Sequence, residues 1–456
     1  KSAKGKAEEA LQCFDKVVSM NPKDAEGWSN RGQILLRLER FEDAARSFEE
    51  ATKIKPDFVV AYNHWGSALF NLGNLEGALG QFNRAIELNL DFLNAWQNKE
   101  VVLQEMGRFE EMLPVYDRQI ELNPDDPQTY YSKGVALTQL NRLKDAVGSF
   151  DKALGLDATM ADAWARKGSA LYTLQNVQGA IACFDKVIEI TPDNEQVWNN
   201  KGSALHNLKK YEEAVKCYDK ALELKSDFSD AWNKRGAALY NLKKYQDAVK
   251  CYDKAIEIQP DFQDAWNNKG NALGSMKKFE DAIRAYEEAL KIDESCEITW
   301  ISKGNALRDL KRLKDAISCY DKALEINPES VNAFRQKGNA LQALGNGKQA
   351  IECMDRALKI DSSDSQTYNN KGFVLTSLGR VTEALECYDK AIRNKEDYED
   401  AWNNKGNALY SLGKASEALG CYDKAIEIKP DYAEAWNSKG TALKKLGRDE
   451  EAIRSY

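Results

Sequence analysis

Apolar residues recur along the chain in two alternating helical phases. In residues 263–290, Trp266, Gly270, Leu273 and Met276 lie three to four positions apart, the spacing of one face of an α-helix. Phe279, Ala282, Tyr286, Ala289 and Leu290 then start a second phase. The pattern predicts two helices packed face to face. Glu280 and Asp281 fall in the first turn of the second helix, where the helix dipole favours acids. Pro-Asp pairs break the chain between units, as at Pro260–Asp261 and Pro430–Asp431, and the aspartate is expected to cap the next helix.

The two-helix pattern has a fixed period of 34 residues. Its aromatic residue appears as Trp28, Tyr62, Trp96, Tyr130, Trp164, Trp198, Trp232, Trp266, Trp300, Phe334, Tyr368, Trp402 and Trp436, with no insertion between them. With the aromatic placed fourth, repeats begin at Ala25 and the first helix is expected from about the second to the fourteenth place. Residues 25–432 make twelve complete repeats, and 1–24 and 433–456 are partial ones. Helix pairs at such a period stack on one another. The expected architecture is all-α, one solenoid over residues 1–456, read as a segment of a longer array. Glycine fills the eighth place in twelve of thirteen repeats, although mid-helix glycine costs roughly 1 kcal/mol relative to alanine. Close approach of the second helix, with Ala282 and Ala289 as small partners, is the expected reason.

The aromatic, Gly, Leu/Tyr, Ala, Tyr/Phe, Ala and Pro places resemble the tetratricopeptide repeat family over essentially the whole chain. The resemblance implies antiparallel helix pairs in a right-handed superhelix, first helices lining the concave wall, and a protein or peptide ligand in that groove. One place departs from the family pattern. The seventh, typically leucine in the family, is Lys or Arg in twelve of thirteen repeats, as in Arg31, Lys99, Lys133, Lys201, Lys269 and Lys405. It lies on the apolar stripe, so the base must snorkel or find a partner. The twenty-fifth place offers acids: Asp117, Asp151, Asp219, Glu287 and Asp423. The repeat that lacks the base (Trp65) also lacks the acid (Asn83). An ion pair within each repeat is expected.

Composition narrows the function. The chain carries 64 basic and 72 acidic residues, a formal charge of −8, interspersed without a basic stripe for nucleic acid. No apolar run approaches the roughly 20 residues that span a bilayer. Eight of nine cysteines share the twenty-third place. Stacked layers set them roughly 10 Å apart, beyond disulfide reach, so they read as small packing residues in a reducing, cytoplasmic setting. His64 and His206 sit in different repeats, read as exposed groove residues without a paired nucleophile. Neither a phosphate loop nor metal-ligand spacing occurs. The expectation is a non-enzymatic chain without cofactor or metal.

Asparagine, a mediocre helix former, clusters on the first-helix face opposite the Trp stripe. The sixth place supplies Asn30, Asn98, Asn200, Asn268, Asn370 and Asn404, and the ninth supplies Asn271, Asn305, Asn339 and Asn407. The fifth adds Asn63, Asn199, Asn233, Asn267, Asn369, Asn403 and Asn437. An amide donates and accepts, so a row of them suits an extended peptide backbone. The sixth-place row is similar to the asparagine ladder of the O-linked N-acetylglucosamine transferases. Tyr172, Tyr240 and Tyr410 at the twelfth place add amphipathic contacts. The chaperone-tail clamp of some family members needs a fifth-place Lys, which is absent; Arg335 beside Asn339 is the one base there. Repeat 93–126 is irregular: Glu100 replaces the glycine, Met112 and Gln119 replace alanines, and Pro114 lies within the second helix. A hinge and a tolerated, decayed repeat are both consistent with that. The resulting expectation is a protein-interaction scaffold. Its alternatives are a substrate-recruiting arm of a larger enzyme such as a glycosyltransferase, and an array that self-associates through its open ends.

Overall fold

The computed structural model describes residues 3–456. They divide into two compact units, 1–226 and 227–456. The described part of the first holds thirteen helices, from Ala3–Met20 to Tyr211–Leu224, and the second fourteen, from Ser229–Asn241 to Asp449–Ser455. Neither unit contains a strand among the described residues. Each is an α-solenoid in which a first helix packs on the second helix of its own repeat and on that of the repeat before. First helices occupy places one to thirteen (Ala25–Arg37, Gln263–Ser275), one place earlier than expected.

The eighth-place glycine lies under the ring at the twenty-fourth place. A Cβ on Gly236 would stand 2.5 Å from Cε1 of Tyr252, and one on Gly202 2.6 Å from that of Tyr218. The ring, more than the small alanines, is therefore what the glycine accommodates. Both rings are fully buried. Helices end at the fifteenth place with φ positive, at Gly73 and Gly413 but also at Lys243 and Lys277. This left-handed residue closes the first helix.

The fourth-place ring fastens the loop that enters each repeat. Trp266 Nε1 donates to the Pro260 carbonyl at 3.1 Å and Trp402 Nε1 to that of Glu396 at 3.0 Å. The same bond forms at Trp28, Trp96, Trp164, Trp198, Trp300 and Trp436. The aspartates of the Pro-Asp pairs do not cap the next helix, although Asp126 and Asp364, one place later in their own repeats, do. The cap residues are Phe262 and Tyr432, without a side-chain cap bond. Asp261 and Asp431 lie one residue too early to reach the first amides.

The seventh-place base is paired, but between repeats. Lys133 reaches Asp117 at 2.5 Å, Lys269 reaches Asp253 at 2.6 Å and Lys303 reaches Glu287 at 2.9 Å. In each case the acid precedes the base by sixteen residues and belongs to the previous repeat. The pairing expected within the repeat is therefore corrected. Beside the seventh place, the glycine is covered by the repeat's own ring, and the base points to the preceding second helix. Its ammonium also lies over its helix's own indole, 5.0 Å from the Trp266 ring in the case of Lys269. Asn83 thus deprives Lys99, not its own repeat, of an acid. Lys99 forms no ion pair among the described residues and lies 5.5 Å from the Trp96 ring. Burial holds its ammonium below the usual lysine range.

In repeat 93–126 the second helix, Phe109–Leu122, runs unbroken through Pro114. Its two helices approach each other less closely than those of complete neighbouring repeats. Glu100 fills the glycine's place and accepts from Gln119 Nε2 at 3.0 Å. Gln119, unlike the usual alanine, is long enough to partner it.

Candidate functional site

The inner face of the first helices is built from amide rungs. Of the fifth-place asparagines, expected on an open face, Asn63, Asn199, Asn233, Asn369 and Asn403 are buried, Asn267 is half-buried, and Asn437 is exposed as expected. Asn63, Asn233 and Asn369 accept from the sixth-place amide of the next first helix. Asn98 Nδ2 donates to Asn63 Oδ1 at 2.9 Å, Asn268 to Asn233 at 3.0 Å and Asn404 to Asn369 at 3.0 Å. Arg166 and the Tyr131 hydroxyl make the same rung at 2.8 Å. A buried amide needs such a partner. Asn403 shows what its loss does. The residue 35 places on is Ser438, which is too short, and Asn403 Oδ1 is left without a hydrogen bond.

The sixth-place donors are half-buried at Asn98, Asn200, Asn268, Asn370 and Asn404, and exposed at Asn30. Asn370 departs from the row because Arg335 stands at the preceding fifth place, and it donates instead to Asn339 Oδ1 at 3.1 Å. Asn200 accepts from Gln196 of its own helix at 3.0 Å. A primary amide has two N–H donors and a carbonyl. The rung uses one N–H, and the Asn98, Asn268 and Asn404 carbonyl oxygens take no hydrogen bond among the described residues.

Apart from Asn339, the ninth-place asparagines serve their own repeats. Tyr286, Tyr320 and Tyr422 each donate a hydroxyl to Asn271, Asn305 and Asn407, at 2.8, 2.9 and 2.9 Å. That bond answers the hydroxyl on a ring otherwise held in apolar packing. Of the twelfth-place tyrosines, all half-buried, Tyr240 shares a hydrogen bond with Ser275 at 3.1 Å. The Lys445 ammonium stands 4.6 Å from the Tyr410 ring. Tyr172 packs against the core around Phe184 and Val187.

In the second unit, Asn339, Asn370 and Asn404 come together around a cavity of about 560 Å³. Phe373, Asp400, Tyr432 and Glu434 also line it. None of these four was singled out in the sequence. The available signal was Phe373, a large apolar side chain at a place where neighbouring repeats carry asparagine.

Arg335 pairs with Asp364 at 2.7 Å, both largely covered. His64 and His206 are half-buried, contrary to expectation, and burial lowers both their pKa values. The His64 ring lies 5.7 Å from that of Phe48, and the His206 ring 5.1 Å from that of Tyr211. The twenty-third-place thiols are buried except Cys13. Burial pushes Cys217 and Cys319 up to about 11. No described helix is long and apolar enough to cross a membrane.

No curated protein sequence matches the chain. Among solved structures it is similar to the Cut9–Hcn1 heterotetramer of the APC/C, at 13 % identity, 96 % of this chain, 93 % of that one and a TM-score of 0.45. Yeast Tom70 is similar at 15 % identity, 95 % and 97 % coverage and a TM-score of 0.46. YrrB, described as a TPR protein with an unusual peptide-binding site, is 28 % identical over 42 % of this chain and 98 % of that one, with a TM-score of 0.33. The sequence matches the tetratricopeptide repeat at residues 2–57, 35–91, 102–161, 195–228, 229–262, 264–296 and 333–364. It matches the TPR repeat at 168–209, 304–345, 374–413 and 406–447. With nearly every repeat matched and the ring-on-glycine hairpin built in both units, the chain belongs to the tetratricopeptide repeat family.

Proposed function

We propose that the protein is a non-catalytic interaction scaffold that holds an extended peptide segment along the amide-bearing face of its first helices. One observation carries this reading. The Asn98, Asn268 and Asn404 amides are fixed in orientation by a rung to a buried asparagine, yet their carbonyl oxygens remain unclaimed among the described residues. A fixed acceptor loses little freedom when it takes a peptide N–H. Recognition through backbone groups tolerates many side chains.

Panning a random heptapeptide library against the wild-type protein and the Asn268→Ala/Asn404→Ala variant tests the proposal. Peptides selected by the wild type should bind the variant at least about tenfold more weakly, the loss of roughly one hydrogen bond to a fixed group. Thermal unfolding of the variant separates lost contact from lost fold. Equal affinity of a folded variant for those peptides contradicts the reading.

A further inference from the structure

The cavity in the second unit differs from the rest of the amide face in charge and in shape. Phe373 projects into it, 55 % exposed, at the ninth place of its helix. The ring at the twenty-fourth place of that repeat, Tyr388, turns its hydroxyl to Thr376 at 3.3 Å, so no asparagine is required opposite it. Across the cavity stand two exposed carboxylates, Asp400 and Glu434. Tyr432 links them, its hydroxyl donating to Asp400 Oδ1 at 2.7 Å and lying 3.5 Å from Glu434 Oε2. Of the cations nearby, Lys429 lies 5.1 Å from the Tyr432 ring without an ion pair to Asp400 or Glu434. Lys429 stands 3.8 Å from Glu399 and Arg335 pairs with Asp364. Neither Asp400 nor Glu434 has an ion pair among the described residues.

An exposed aromatic face opposite two uncompensated acids is complementary to one side-chain type. An arginine lays its guanidinium plane on an aromatic ring and presents a fork of N–H donors to carboxylates. A lysine offers a point charge and no plane. Acidic residues would meet repulsion, and a purely apolar side chain would leave both carboxylates unanswered. The volume of about 560 Å³ exceeds that of a single arginine side chain, so backbone on either side can be admitted.

We infer that this cavity is the specificity pocket of the second unit and takes an arginine side chain of a bound extended segment. Its guanidinium lies on Phe373 and is forked to Asp400 and Glu434. Asn370 and Asn404, at the same cavity, face the backbone that carries it. The inference rests on the reading of the amide face as a peptide site. It adds a sequence preference that amides alone do not supply.

The test uses the full chain, a random heptapeptide library, and two folded-state-neutral surface variants, Asp400→Asn/Glu434→Gln and Phe373→Asn. The second restores the residue found at this place in neighbouring repeats. Wild-type selections should be enriched in arginine at one position. Changing that arginine to citrulline, which keeps the shape and loses the charge, should weaken binding about tenfold or more. The carboxylate variant should lose both the enrichment and the citrulline discrimination. Phe373→Asn should weaken arginine peptides while leaving circular dichroism and melting unchanged. Selections without arginine preference, whose affinity still falls in Asn268→Ala/Asn404→Ala, overturn the arginine pocket and leave the peptide face standing. Selections insensitive to both sets of variants overturn the two together. A lysine preference equal to that for arginine contradicts the stacking on Phe373.

Discussion

Lys269 is bound to the repeat behind it: its ammonium lies 2.6 Å from the Asp253 carboxylate, while Glu287, in the second helix of its own repeat, pairs with Lys303. The interaction is a bond between repeats and contributes to the interface term of a stacked array. A double-mutant cycle on Lys269 and Asp253 should give a coupling of about 0.5–1 kcal/mol, the range for a half-exposed pair. The Lys269–Glu287 cycle should give none. Denaturant unfolding measures both. Asn83→Asp should add the missing pair at Lys99 and raise stability by a similar amount.

Two glycines of one helix should respond oppositely to alanine. Gly270 lies under the Tyr286 ring, whereas nothing lies within 4 Å of a Cβ built at Gly274. Gly270→Ala should destabilise by about 1–3 kcal/mol because the buried ring has no room to move. Gly274→Ala should stabilise by up to about 1 kcal/mol through helix propensity alone. Urea denaturation midpoints at constant slope separate the two.

Glu100 sets a pH dependence. Burial raises its pKa above the ordinary 4.5, against hydrogen bonds from Gln119 and Tyr116 that lower it, and Asp126 adds to the rise. The folded state therefore favours the protonated acid. Its contribution is fully present below the unfolded value and is lost as pH rises through the folded one. At pH 7 the buried charge is a burden, and Glu100→Gln should raise stability by about 1 kcal/mol, the scale of an ordinary single-site change. The difference should vanish near pH 4. A difference that persists at pH 4 would assign the gain to shape instead of charge.

Much of the fold was legible because each element repeats. One helical stripe is ambiguous, but the same stripe at a fixed spacing specifies which faces meet. Which repeat a side chain addresses was not legible. Lys269 has candidate acids at Asp253 and Glu287, sixteen residues before and eighteen after, and helical phase alone gives both the same height. The choice follows from Tyr286 covering Gly270, a packing detail the pattern does not encode. The fifth-place asparagines were misplaced for a related reason. They look polar and exposed, yet Asn63, Asn233 and Asn369 are satisfied from the next helix by Asn98, Asn268 and Asn404. The ninth-place asparagines carried only a partial signal: Asn271, Asn305 and Asn407 accompany Tyr286, Tyr320 and Tyr422, but Tyr218 and Tyr252 accompany Ser203 and Ala237, and Asn339 accompanies Met354. The cavity at Phe373 was hidden because Asp400 and Glu434 are separated from it in sequence and meet only through stacking.

The most direct test of the amide face follows the amides themselves. With asparagine side chains labelled by nitrogen-15, an extended peptide selected from the library is titrated into the protein, and the side-chain amide resonances of Asn268, Asn370 and Asn404 are followed. The account predicts that the resonances of the amides within the peptide's reach, Asn370 and Asn404 for one seated at the cavity, shift saturably while that of Asn83, on a second helix, stays in place. Shifts confined to residues outside the first-helix face, with the three amides unmoved at saturation, would contradict it.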